Sequence, residues 1–108
     1  MEAREFIHKT VTENPIVLFM KGSAQFPMCG FSGRAIALLK AAGAKNVVTV
    51  NVLDDNDIRQ GIKDYANWPT IPQLYVQGEF IGGSDILAEM FEAGELQTLI
   101  QKAQPTDA

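Results

Sequence analysis

Five consecutive apolar residues, Ile16-Val17-Leu18-Phe19-Met20, lie between Asn14-Pro15 and Lys21-Gly22. The run is too short for a buried helix and shows no polar alternation. It reads as a β-strand covered on both faces. The rest of the chain supplies the cover. Glu2 to Glu13 carry Phe6, Ile7 and Val11 at helical spacing, and Asn14-Pro15 stops them. Ser32 to Ala42 is compatible with a helix that buries Phe31, Ala35, Ile36 and Leu39, with Gly43 as its C′ residue. Val47 to Val52 is a β-branched strand. Asp54-Asp55-Asn56 offers N-caps for a helix with Ile58, Ile62 and Tyr65 on one face.

The second half is more broken. Trp68-Pro69-Thr70-Ile71-Pro72 cannot be helix interior, because each proline restricts the residue before it to extended geometry. Gln73 to Val76 and Glu79 to Ile81 flank Gln77-Gly78, a hairpin signal. Ser84 or Asp85 then caps a helix carrying Ile86, Leu87, Met90 and Phe91, and Gly94 closes it. A last short helix buries Leu96, Leu99 and Ile100. The order is α-β-α-β-α-β-β-α-α. Two strands joined through a helix imply a right-handed parallel crossover, and the hairpin adds antiparallel strands. The expected fold is α/β, a four-stranded mixed sheet flanked by helices. Residues 1–108 are one domain by size, with a core at about 14–100 and a tail at about 103–108 expected to be disordered.

Composition narrows the function classes. A net charge of −4 argues against non-specific nucleic-acid binding. No apolar run approaches bilayer length, so no membrane partner is expected. Met1-Glu2-Ala3-Arg4-Glu5 has acids and no apolar core, unlike a secretory signal or an Arg-rich transit peptide. The single cysteine excludes an intrachain disulfide and suits a reducing cytoplasm.

That cysteine, Cys29, falls between the first strand and the second helix, on what reads as the first helical turn. Backbone N–H groups at a helix N-terminus stabilise a thiolate, so its pKa should lie below that of a free cysteine. Free cysteine is also a common core residue. The placement after Pro27 and before Gly30 favours the functional reading. Ser32 can cap the helix or hydrogen-bond the thiolate. Lys21, at the strand end, is a cation able to favour the thiolate and pair with a carboxylate, or a solvated lysine. Met28 is either a shield for the thiol or exposed filler. Trp68 is either core or a surface anchor. His8 reads as a satisfied surface histidine.

Three motifs occur in order. Lys21 stands eight residues before Cys29-Gly30-Phe31-Ser32, Trp68-Pro69-Thr70-Ile71-Pro72-Gln73 follows, and Gly82-Gly83-Ser84-Asp85 comes after the hairpin. Together they resemble the monothiol glutaredoxins of the CGFS type, short single-domain class, from about Asn14 to Ile100. The resemblance implies a thioredoxin-like fold. It implies glutathione binding and a [2Fe–2S] cluster that bridges a homodimer and passes to iron–sulfur acceptor apoproteins. It implies little reductase activity. It assigns Lys21 to glutathione and the thiolate, and Arg59 to the glycine carboxylate, with Lys63 one turn later on the same face. Thr70-Ile71-Pro72 becomes a cis-proline loop, and Ile71 offers its backbone to the ligand's peptide centre. Ser84 and Asp85 take the carboxylate and ammonium of the γ-glutamyl end. Many relatives have cysteine where this chain has Ser84, which removes an internal disulfide partner for Cys29.

Ligand arithmetic agrees. A [2Fe–2S] cluster usually takes four thiolates, and one chain supplies one. Two chains and two glutathiones complete the set, with Cys29 as the protein's metal ligand. The alternative is a monothiol oxidoreductase, in which Cys29 is catalytic and attacks glutathione mixed disulfides. A third reading pairs the chain with a BolA-type protein, the cluster acting as sensor.

Overall fold

The computed structural model describes residues 1–104; positions 105–108 of the expected tail lie outside the described residues. The apolar run is strand β1 (Ile16–Met20), and all five of its residues are buried. It sits inside a four-stranded sheet that also contains β2 (Val48–Asn51), β3 (Gln73–Val76) and β4 (Glu79–Gly82), in the order β2-β1-β3-β4. β1 pairs parallel with β2 and antiparallel with β3, and β3 pairs antiparallel with β4. The mixed sheet therefore has the expected form.

Alternation along β1 sends its side chains to two cores. Val17 and Phe19 pack with Ile7, Val11, Ile58, Ile62 and Tyr75, beneath α1 (Ala3–Glu13) and α3 (Asn56–Ala66). Ile16, Leu18 and Met20 pack with Ala35, Leu39, Leu87, Leu96 and Ile100, beneath α2 (Gly30–Ala41), α4 (Ser84–Glu92) and α5 (Glu95–Ala103). Each large apolar side chain buried this way stabilises the fold by roughly 1.5–3 kcal/mol. With a dry core on each face, β1 has no solvent-facing position for a polar residue.

Local signals account for the element ends. Gly43, at φ +91, follows α2; its N–H donates to the Lys40 carbonyl and that of Ala44 to the Leu39 carbonyl. This is the Schellman pattern that glycine favours. Asp55 caps α3 by accepting from Asp57 and Ile58. Gln77 and Gly78 both have positive φ, as a tight hairpin between β3 and β4 requires.

Three expectations need correction. Helix α2 starts at Gly30, with Cys29 as its cap residue rather than in its first turn. Phe31 is 60 % exposed, because Ser32, Ala35 and Leu39 share the inward face and leave position 31 beside it. The tail is ordered further than its composition suggests. Ala103 is buried in α5, while the Gln104 side chain accepts from Lys45 N–H and donates to the Gly43 carbonyl. No helix among the described residues is long and apolar enough to cross a membrane.

Candidate functional site

The thiol stands where β1 hands over to α2. Between them the chain folds back on itself: Gly22 and Pro27 form an isolated antiparallel bridge, and Met28 N–H donates to the Lys21 carbonyl at 2.9 Å. Gly22 has φ +92, and a Cβ there would lie 2.5 Å from both Met28 N and Phe26 O. Only glycine lets the loop close this tightly. Closure delivers Cys29 in extended geometry at the head of α2, its carbonyl accepting from Gly33 N–H at 3.0 Å. Ser32 does not cap the helix. It is fully buried, and its Oγ accepts from Lys21 N–H at 3.0 Å, tying the end of β1 to the first turn of α2.

The Cys29 thiol is partly exposed and its pKa is lowered. The backbone amide of Ser32 is the largest cause. Burial opposes it; the Phe31 amide and the Ser32 hydroxyl add to it, and Lys21 comes last. No full hydrogen bond caps the helix through the thiol, so the amides act as nearby donors that favour the charged form. The helix terminus, more than the lysine, makes this cysteine acidic.

A cleft of about 390 Å³ opens beside the thiol. Lys21 and Lys63 bring positive charge to its walls, the Trp68–Pro72 loop forms one side, and Gly83–Ile86 forms another. The Ile71–Pro72 bond is cis. The α4 end is unusual. Gly83 is the cap residue and has no side chain to give, while Ser84 is the first helical residue, only 6 % exposed. Its Oγ has no hydrogen-bond partner in the protein. An uncapped helix N-terminus and a buried, unpartnered hydroxyl at one wall of a cleft suit an anionic group.

Lys21, Cys29, Thr70, Ile71, Ser84 and Asp85 all line this cleft. Arg59 does not. It lies one turn before Lys63 on α3, and Lys63 is the cation of that helix on the cleft wall. Met28 is 71 % exposed and, like the exposed Phe26, does not line the cleft, whereas the exposed Phe31 does. His8 is exposed, with Nδ1 2.9 Å from the Tyr65 hydroxyl. Two contributors escaped the sequence reading. Arg34 of α2 pairs with Asp85 at 3.4 Å across the surface. Gln73, read as the end of the Trp68–Gln73 motif and the start of a strand but given no role, holds the Trp68 and Thr70 carbonyls. Its signals were its place in that motif and a glutamine opening an otherwise apolar strand.

These features define a class: a thioredoxin-like α/β fold whose thiol heads the helix after its first inner strand, beside a cis-proline loop and a ligand-sized cleft. The glutaredoxin family model matches residues 16–81, and the chain belongs to the glutaredoxin family. Its similarity to the monothiol branch is high. It is 50% identical over 103 residues to a mitochondrial monothiol glutaredoxin of Schizosaccharomyces pombe, covering 94% of this chain and 70% of that one. The solution structure of a reduced poplar apo-glutaredoxin, GrxS14, superposes with a TM-score of 0.80 at 47% identity, covering 93% of this chain and 91% of the other. A buckwheat glutaredoxin in complex with glutathione superposes with a TM-score of 0.81 at 25% identity, covering 94% and 89%.

Proposed function

We propose that this protein carries a [2Fe–2S] cluster as cargo between two copies of itself, with glutathione as co-ligand, and passes it to iron–sulfur acceptor apoproteins. One observation carries the reading: an acidic thiol at a cationic, peptide-sized cleft is the chain's only cysteine. Among the described residues, no group of three or more His, Cys, Asp or Glu could hold a metal. One chain therefore contributes one thiolate. Cys29 of each copy and the thiols of two glutathiones make up the ligand set. Ligands that exchange with free glutathione let the cargo leave. A BolA-type protein is an alternative partner for the exposed Phe26, Met28 and Phe31 that flank the thiol in the chain, and a reducing compartment such as the cytoplasm suits the free thiol.

Within the cleft, glutathione lies with its thiol toward Cys29. Ile71 offers backbone groups to its peptide centre. The γ-glutamyl carboxylate meets the α4 N-terminus and Ser84, and its ammonium meets Asp85 in place of Arg34. The glycine carboxylate meets Lys63 and Lys21, with Arg59 at the outer turn. The buckwheat complex supports glutathione as the ligand of this fold.

A second reading is favoured by the lowered thiol pKa. As a monothiol oxidoreductase, the Cys29 thiolate attacks the glutathionyl sulfur of a mixed disulfide and releases the other thiolate. A second glutathione thiolate then attacks that sulfur and releases glutathione disulfide and Cys29. Two assays separate the readings. A cluster carrier activates an apo-ferredoxin stoichiometrically and turns over a glutathione-coupled disulfide substrate poorly. Robust turnover with no activation of the apoprotein would reverse the assignment.

A further inference from the structure

Gln73 is fully buried although polar, and it follows the cis Ile71–Pro72 bond directly. Its Nε2 donates to the Trp68 carbonyl at 3.1 Å and to the Thr70 carbonyl at 3.2 Å. Its Oε1 accepts from the Tyr75 hydroxyl at 3.0 Å. This network sets the carboxamide's orientation, since two carbonyls can only accept and the phenol then supplies the remaining proton. Burial raises the Tyr75 pKa, so the phenol stays a donor throughout the working pH range.

Tyr75 reaches the same loop by a second route. Its ring packs on Phe80 at 5.5 Å, and Phe80 packs on the Trp68 ring at 5.7 Å. Phe19 and Tyr65 hold Tyr75 from other sides, at 5.7 and 6.0 Å. The Trp68–Thr70 loop is thus gripped through its carbonyls and through its aromatic side chain. Trp68 N–H also donates to the Lys63 carbonyl at 3.0 Å, which joins the loop to the helix bearing a cleft lysine.

We infer that Gln73 and Tyr75 are positioning residues for ligand binding: the Gln73 carboxamide, oriented by the Tyr75 hydroxyl, draws the Trp68 and Thr70 carbonyls inward and fixes the cleft wall. The inward turn has an electrostatic consequence. The negative ends of two peptide dipoles are satisfied inside the protein, so the charges left on the cleft wall are those of Lys21, Lys63 and Asp85, which with the helix amides favour a peptide carrying carboxylates and an ammonium. This assignment rests on the reading that the cleft takes glutathione.

Trp68 is the chain's only tryptophan, so its fluorescence reports this loop directly. Tyr75→Phe keeps the ring and removes the hydroxyl. Gln73→Glu keeps an acceptor for Tyr75 but cannot donate to the carbonyls while ionised. Glutathione affinity is measured by calorimetry on full-length parent and variants across pH, with circular dichroism and acrylamide quenching of Trp68 in the ligand-free proteins. Tyr75→Phe should fold, quench more readily, and bind glutathione roughly two- to tenfold more weakly. Gln73→Glu should lose more, and its affinity relative to the parent should recover as the pH falls and the acid regains a proton to donate. Folded variants with parental affinity and parental quenching would overturn the assignment. So would loss of affinity without any pH-dependent recovery or change in quenching, which would mark a general stability defect. If the parent does not bind glutathione, the cleft reading fails, and ligand-free quenching still decides whether Gln73 and Tyr75 hold the loop. Should Gln73→Glu not fold, Tyr75→Phe decides alone.

Discussion

Replacing Ser32 with alanine removes one oxygen atom from the interior, and two measurable quantities follow. The Ser32 hydroxyl accepts the Lys21 N–H at 3.0 Å, and Ser32 is fully buried. Without it that amide has no acceptor, which costs about 1–3 kcal/mol. In a domain of this size, 1 kcal/mol corresponds to roughly 4–8 °C in Tm, so the variant should melt roughly 4–24 °C lower. The second quantity is the Cys29 pKa. The hydroxyl lowers it directly, and the same residue's amide is the largest cause of the shift. Loosening the first turn of α2 weakens both, so the pKa rises and less thiolate is present at neutral pH. Thermal melting and the alkylation rate against pH read the two effects separately. Lys21→Met is the control. It keeps the backbone bond and removes only the weakest of these influences on the thiol, so its melting should match the parent and its alkylation inflection should move less. A Ser32→Ala protein that melts like the parent would refute the tie between β1 and α2. A larger inflection shift in Lys21→Met would make the lysine, not the helix terminus, the source of acidity.

Cys29→Ser should fold as the parent does and lose cluster binding; retained cluster colour would remove Cys29 from the ligand set. The same variant tests linkage: a thiol whose pKa is depressed in the folded state stabilises above its unfolded pKa and loses that contribution as the pH falls through the folded one. The parent's advantage over Cys29→Ser in denaturant should therefore grow with rising pH, and a shrinking advantage would contradict a lowered pKa. Gly22→Ala forces a side chain into left-handed backbone, at about 1–2 kcal/mol, and into contact with two backbone atoms. Hydrogen exchange at the Met28 amide should accelerate, whereas protection equal to the parent's would show that the loop closes without glycine. Lys63→Met should weaken glutathione binding roughly tenfold through loss of a charge-assisted bond, and Arg59→Met should do less. The opposite ranking in calorimetry would move the carboxylate to the outer turn of α3.

Features encoded by neighbours along the chain were legible. Ile16–Met20 could only be a doubly covered strand, Gly43 a helix end, Gln77-Gly78 a hairpin turn and Asp55 a cap, because each depends on a few adjacent residues. The cis-proline loop was legible by resemblance. What failed depends on partners distant in sequence. Ser32 and Ser84 look like caps, yet tertiary packing turns one toward the end of β1 and buries the other without a partner. Phe31 is apolar and helical but faces solvent, since Ser32 takes the inward place with Ala35 and Leu39. Arg34 meets Asp85 across 51 residues, and Gln104 reaches Gly43 across 61, separations at which composition has no say. Arg59 and Lys63 share a helix face in sequence, and only the packing of α3 on the cleft distinguishes them.

Two copies of a one-thiol chain should hold a cluster only with glutathione. Anaerobic reconstitution with iron and sulfide, with and without glutathione, followed by absorbance and size-exclusion chromatography with light scattering, tests it most directly. A brown dimer is expected with glutathione, and a colourless protein without it. A colourless monomer in both cases, or a coloured species that forms without glutathione, would contradict it.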